Sequence, residues 1–152
     1  MEDYRKMAEA NQRRGREIIA ETQLVESWEA IGAQANLIGS LSTGLMMKKL
    51  DIDMHVYTDT LSIKESFRAA ARIASHPGIV RMEYTNLIDT EEECIEWHAA
   101  YRDRDGRMWK MDMIHIRRGS AYDGFAERMA SRIGAVLTEE TRDAILRLKY
   151  ET

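Results

Sequence analysis

Asp51-Ile52-Asp53 places two carboxylates two residues apart within a segment, Asp51–Tyr57, that alternates strictly between polar and apolar residues. A strand sends alternate side chains to opposite faces, so Asp51, Asp53, His55 and Tyr57 share one face and Ile52, Met54 and Val56 the other. Like charges so close repel, and a fold tolerates them where solvent or a cation screens them. An exposed strand face meets that condition, and so does a divalent-metal site. Upstream, Gly39-Ser40 ends a short apolar run, with ten residues between Ser40 and Asp51. Glycine lets the backbone approach a ligand closely, and the N–H groups at the start of a following helix suit anionic phosphates. A third acid, Asp112, interrupts the apolar run Met108–Ile116. A lone carboxylate in a strand is costly unless it is paired, hydrogen-bonded or metal-bound. A salt bridge to Lys110, which shares its face, is the plainer way to satisfy it.

The remaining pattern supplies the elements that must position these residues. Met7, Ile18, Leu24, Val25, Trp28 and Ile31 give an apolar stripe that predicts a helix over 2–31, with Gly15 as the point of bending and Gly32 as the stop. Ala33–Ile38 reads as a strand, and Leu45–Leu50 as a brief helix after the Gly39–Gly44 turn. Ser62-Ile63-Lys64-Glu65 is a capping box opening a helix to about Ser75, with Ile63, Phe67, Ala70, Ala71 and Ala74 inward. His76-Pro77-Gly78 ends it. Three strands are expected at Ile79–Leu87, Cys94–Asp103 and Arg107–Ile116, the last two joined at Asp105-Gly106. Trp97 and Trp109 flank that turn as a cross-strand aromatic pair. Ser120 and Thr138 cap two final helices, with Phe125, Met129, Ile133 and Val136 apolar in one and Ile145, Leu146 and Leu148 in the other. The order of elements predicts an α+β fold, a mixed β-sheet backed by helices with N-terminal and C-terminal helices.

Composition narrows the functional classes. The chain has 152 residues, 44% hydrophobic and 32% charged, with one proline, nine glycines and one cysteine. One domain over 1–152 is expected, its core at 33–116 flanked by helices at 2–31 and 120–151. No apolar run reaches the ~20 residues of a membrane span, and the polar N-terminus is unlike a signal peptide, so a cytoplasmic protein is expected. A single Cys94 excludes an internal disulfide and a multi-cysteine zinc site. Net charge of −4, with acids and bases interspersed, gives no strong nucleic-acid signal. Arg13, Arg14 and Arg16 read as a solvated helix face, Glu91-Glu92-Glu93 as a charged loop, and the ten methionines as adaptable core filling.

The stretch LIGSLSTGLMMKKLDIDMHVY resembles the signature of the nucleotidyltransferase superfamily, which includes DNA polymerase beta, the aminoglycoside nucleotidyltransferases and the minimal nucleotidyltransferases. That signature is a hydrophobic residue, Gly-Ser, a second glycine, Asp-hydrophobic-Asp, and later a third carboxylate on a separate strand. Gly39, Ser40, Gly44, Asp51, Asp53 and Asp112 match it in order.

The resemblance implies a magnesium-dependent transfer of a nucleoside monophosphate from an NTP to an acceptor hydroxyl on a small molecule or a protein. Asp51, Asp53 and Asp112 would be the catalytic and metal residues, holding two Mg²⁺ ions. Gly39 and Ser40 would hold the triphosphate. Where many members carry an arginine after Gly-Ser, this chain has Leu41-Ser42-Thr43, so phosphate charge falls to Lys48, Lys49 or Lys110 by position. The alternative the resemblance leaves open is a non-catalytic or weakly catalytic nucleotide-binding regulatory module, or a toxin-partner protein, of the same fold. Homodimerisation through the C-terminal helices is a further expectation, since the helix reaching Glu151 has little chain after it to cover its outer face.

Overall fold

The structure, a computed structural model, describes residues 3–39, 44, 46, 48–121, 123, 124, 127, 128, 132, 133, 135 and 137–151. Helices α1 (Tyr4–Glu21) and α2 (Leu24–Glu29) lead into strands β1 (Gln34–Ile38) and β2 (Asp51–Thr58). Helix α3 (Ile63–Ala74) follows, then β3 (Ile79–Leu87), β4 (Cys94–Arg102), β5 (Met108–Arg117) and helix α4 (Glu139–Glu151). The five strands form one sheet in the order β1-β2-β5-β4-β3, antiparallel except for the central β2–β5 pair, which is parallel. The sheet is therefore mixed and backed by helices, the α+β architecture expected.

One face of the sheet makes the core. Ile52, Met54 and Val56 of β2, Met111 and Met113 of β5, and Ile95, Trp97, Ala99 and Tyr101 of β4 are buried. They cluster with Ile18 and Ile19 of α1, Leu24 and Trp28 of α2, and Ala69, Ala70 and Ile73 of α3. The opposite face carries the polar residues of the same strands. Helix α4 does not lie on the sheet: Leu146 is buried against Ala8 of α1, with Tyr4, Met7, Leu137, Ile145 and Tyr150 around them, and Leu148 stays exposed.

Several expectations need correction. The N-terminal helix is two helices, and the break falls at Thr22-Gln23 rather than Gly15, which is buried inside α1. Thr22 turns its hydroxyl back to the Ile18 carbonyl at 2.8 Å, and Gln23 adopts a left-handed φ of 52°. Gly32 does stop α2, at φ 83°. No helix follows the Gly39–Gly44 turn among the described residues: Met46 and Lys48–Leu50 are irregular, while Leu45 and Met47 lie outside the described set. Thr138 caps α4, accepting from the Thr141 N–H at 3.0 Å. Ser120 caps no helix among the described residues, where its buried hydroxyl lacks a hydrogen-bond partner. Of the apolar set expected at 122–136, only Ile133 is described; Phe125, Met129 and Val136 lie outside.

Trp97 and Trp109 are not paired. The hairpin centres on Asp105, since Arg102 pairs with Met108 and the Asp103 N–H donates to the Arg107 carbonyl. That register sets Trp109 opposite Tyr101 and Trp97 opposite Met113. Arg14 is not a solvated residue either: its guanidinium grips the buried Asp103 carboxylate at 2.6 Å and Glu21 at 2.8 Å, tying α1 to the hairpin.

Helix α3 is rotated from its expected face. Ser66, Ala69, Ala70 and Ile73 point inward, while Ile63, Phe67, Ala71 and Ala74 are exposed. The cause is a buried polar chain. Trp97 donates its indole N–H to Ser66 Oγ at 2.8 Å, and His115 Nδ1 lies 3.0 Å from the same oxygen. His115 Nε2 lies 2.7 Å from Thr58 Oγ1, which donates to the Thr60 carbonyl at 2.6 Å. These directions require a neutral imidazole that donates from Nε2 to Thr58 and accepts at Nδ1 from Ser66. Burial accordingly pulls the His115 pKa down to about 4. The folded state thus resists a proton that the unfolded chain accepts near 6.5, so stability is complete above that pH and is lost as pH falls toward 4. Thermal melts between pH 4 and 8 should show a steeper acid-side decline for the wild type than for His115→Gln; equal slopes would refute the assignment.

Candidate active site

The three aspartates sit on the open face of the two central strands. Parallel pairing of β2 with β5 sets Asp53 directly opposite Asp112 and Asp51 opposite Lys110. Asp112 meets three neighbours. Its carboxylate is within hydrogen-bonding reach of Asp53, its Oδ2 lies 3.7 Å from Lys110 Nζ, and its Oδ1 lies 2.6 Å from Nδ1 of His98, the residue opposite it on β4. The salt bridge to Lys110 and the convergence of acids therefore coexist. With a carboxylate as acceptor, His98 Nδ1 carries the hydrogen. His98 Nε2 is also 3.3 Å from Glu96 Oε2.

The electrostatics follow from this crowding. Burial, the charges of Asp112 and Asp51, and a hydrogen bond with Asp112 push Asp53 up to about 7, with Lys110 opposing. Burial works against a charged His98, but hydrogen bonds to Asp112 and Glu96 and their negative charge outweigh it and raise its pKa. His55, two residues beyond Asp53, goes the other way through burial, with Glu127 opposing.

Gly39 abuts the acids. Gly39 has φ 70°, and a Cβ there would collide with the Asp53 carboxylate, so only glycine fits against this group. Ser40 lies outside the described residues. Beyond the turn, Arg142 of α4 donates from Nη1 to the Gly44 carbonyl at 3.2 Å. Lys48, Lys49, Leu148 and Lys149 line a cavity of about 430 Å³. Lys48 Nζ stands 5.2 Å over the Tyr150 ring. Lys149 feels burial, which lowers its pKa, the charge of Asp51, which raises it, and Lys49, which lowers it.

The carboxylates of Asp53 and Asp112 present hard oxygen donors to one point on an open face, a donor set that fits Mg²⁺. Asp51 shares the face but does not close a three-way cluster; three carboxylates repel, and Lys149 draws on Asp51 from the side. Among the described residues, one group of three brings possible ligand atoms within 4.8 Å of each other: Glu92, Cys94 and Glu96. Burial and the two carboxylates push the Cys94 thiol up to about 11. It remains protonated at neutral pH and is a poor metal ligand.

No protein-family model matches the chain, and no curated protein matches its sequence. Solved structures do match. The Cid1 poly(U) polymerase bound to MgATP superposes with a TM-score of 0.67 at 16% identity, over 91% of this chain and 41% of that one. A cytoplasmic RNA terminal U-transferase matches with a TM-score of 0.57 at 15% identity, over 97% of this chain and 43% of that one. The non-canonical poly(A) polymerase complex GLD-2–GLD-3 matches at 0.55 and 8% identity, over 88% and 44%. The chain shares the fold of these solved polymerases and transferase. The chain spans less than half the length of these proteins. Among its described residues no helix is long and apolar enough to cross a membrane.

Within this fold, His98 and Lys149 adjoin the acids, and neither was expected from sequence as a site residue. His98 was legible as a strand histidine, but its register against Asp112 depends on where the hairpin turns. Nothing in the sequence of α4 signals that Lys149 approaches Asp51. Because Asp53 and Asp112 repel, Asp53→Asn should stabilise the metal-free protein, by on the order of 1–3 kcal/mol, or several degrees in Tm. A calorimetric scan in EDTA checks this, and a lower Tm would contradict the crowding described.

Proposed function

We propose that the chain is a magnesium-dependent nucleotidyltransferase that moves a nucleoside monophosphate from an NTP to an acceptor hydroxyl. The observation that supports this best is the Asp53–Asp112 rung, with Gly39 packed against its first carboxylate. Asp51, Asp53 and Asp112 would hold the magnesium ions. Bound there, magnesium supplies positive charge to the triphosphate and to the attacking oxygen. Gly39 and Ser40 take the phosphates through the backbone and the hydroxyl. Lys48 and Lys49, with Lys149 joining them across their shared cavity, neutralise the charge that develops on the leaving group.

Asp112 accepts the proton of the acceptor hydroxyl. The oxygen then attacks the α-phosphorus in line, a new O–Pα bond forms, the bond to the β-phosphate bridging oxygen breaks, and pyrophosphate leaves. His98 is a positioning residue: it holds Oδ1 of Asp112 and leaves Oδ2 beside Lys110.

The test is Mg²⁺-dependent triphosphate binding by calorimetry, followed by label transfer from α-labelled NTP. Binding should require Mg²⁺ and disappear in Asp53→Asn. Lys149→Ala should weaken it roughly tenfold, as loss of one phosphate cation does. His98→Gln should lower apparent Mg²⁺ affinity about 10–100-fold, the usual effect of removing a partner that orients a ligand carboxylate. Binding unaffected by Mg²⁺ or by Asp53→Asn would reject the reading. Binding without any transfer would favour a regulatory nucleotide-binding module.

A further inference from the structure

β3 ends the sheet, and no described residue pairs with its outer edge. An unpaired edge is a template for another strand, which folds usually blunt with proline, a bulge or unmatched charge. β3 carries no proline, and its one irregularity, at Ile79/Arg81, leaves Arg81–Leu87 in regular register with β4. Its two charges, Arg81 and Glu83, are of opposite sign. Of the seven large hydrophobic side chains exposed among the described residues, four belong to β3 or to α3 beside it: Ile63, Phe67, Val80 and Tyr84. Ile63, Phe67, Ala71 and Ala74 of α3 are residues its sequence marks for burial, turned outward because Ser66 serves Trp97 and His115. Helix α4, by contrast, leaves one large hydrophobic residue, Leu148, exposed. We propose that a second copy of this chain docks on the β3 edge, antiparallel about a two-fold axis at Met82, joining two five-stranded sheets into one of ten strands. The proposal does not depend on nucleotide chemistry.

The charges select the register. A two-fold between antiparallel strands sets residues of the same face opposite each other, so the axis must fall at a residue position. Arg81 and Glu83 lie on the open face, opposite Ala100 and His98 of β4, while Met82 and Tyr84 lie on the helix face, opposite Ala99 and Trp97. An axis at Arg81 or Glu83 would set like charges against each other, which is destabilising. An axis at Tyr84 would set Arg81 against the partner's Leu87. Only an axis at Met82 matches both charges: Arg81 then faces the partner's Glu83, and Glu83 faces the partner's Arg81. The ion pair that Arg81 and Glu83 make within one chain becomes one side of an alternating square. On the other face Tyr84 meets the partner's Val80, so two exposed apolar groups cover each other twice.

The helix layer fits the same axis. Helix α3 straddles β3 and β4, since Phe67 stacks on Tyr84 of one and Trp97 of the other. Its axis therefore lies about one strand spacing from the two-fold, and two copies of α3 stand roughly 10 Å apart, the distance at which helices pack. Their outward stripes of Ile63, Phe67, Ala71 and Ala74 would then face each other, and Arg68 beside the stripe is already paired with Glu65. The open face stays uncovered. Glu83 continues the row Asp53–Asp112–His98, so both copies present their aspartates on one side of the joined sheet, with the two β5 strands about 24 Å apart.

Light scattering and sedimentation of the full chain, over a concentration series from micromolar upward, should show a mass rising toward twice 17.6 kDa. Arg81→Glu and Glu83→Arg should each weaken the dimer at least ~tenfold, and the double exchange Arg81→Glu/Glu83→Arg should restore it. Ala71→Glu, at an exposed helix position, should also separate the copies, with circular-dichroism melts confirming that each variant folds. Met82→Cys should form a disulfide between copies on mild oxidation, since directly opposed Cα atoms lie about 4.5–5.5 Å apart. The native Cys94 is buried and stays out of this readout. A monomeric mass at every concentration would overturn the proposal, whether the edge stays bare or takes an extended peptide from another protein. So would a dimer indifferent to Ala71→Glu, a double exchange as weak as the single ones, or no cross-link at Met82→Cys.

Discussion

The parallel pairing of β2 with β5 forces two carboxylates into the same rung, and much of the structure is arranged around that repulsion. Asp53 cannot relax by turning away, because its strand neighbours Ile52 and Met54 are fully buried in the core beneath. Asp112 is locked the same way by Met111 and Met113. A one-residue slip of either strand would carry its acid into the core and its methionine or isoleucine into water. The helices packed on the core face thus hold the acids together from the opposite side of the sheet. Parallel strands also need a long crossover, and here α3, β3 and β4 provide it. The crossover brings His98 of β4 to the flank of Asp112, and Lys110 precedes Asp112 by two residues on β5 itself; both offset part of the repulsion that the register creates.

What could be read from the sequence was whatever local pattern determines. Alternation in Asp51–Tyr57 assigned the faces of β2 correctly, and Ser62 and Thr138 marked their helix starts because capping is a local hydrogen bond. The acids were legible because a charge inside an apolar run is conspicuous and their order matched a known signature. What failed was decided by distant partners. Hydrophobicity alone favoured Phe67 as an inward residue of α3, yet Ser66 took that place because Trp97 and His115 both need its hydroxyl. Phe67 instead spreads over Tyr84 and Trp97 at the rim of the sheet. Arg14 looked like one of three solvated arginines until the hairpin delivered Asp103 to it across 89 residues. The break at Gln23 was missed for the opposite reason: glycine is the usual breaker, but a threonine bonding back to its own helix ended α1 while Gly15 served as a close-packed position.

The open face changes sign along its length, and this gives the site a direction. At one end Lys48, Lys49 and Lys149 gather beside Asp51. At the other, Glu92 and Glu96 line a cavity with His55, Cys94 and Ile114. The Asp53–Asp112 rung lies between them. A polyanion approaching this face would meet complementary charge only at the lysine end. The lysine end depends on α4, which reaches the site because Leu146 packs on Ala8 of α1 and Arg142 holds the Gly44 carbonyl. The glutamate end combines Glu96, placed by the β4–β5 register, with Glu92 in the turn before β4. Changes in α4 packing should therefore act on nucleotide binding and leave the acidic cavity untouched. Changes at the hairpin act on both, because His98 ties Asp112 to Glu96 across the boundary between the two ends.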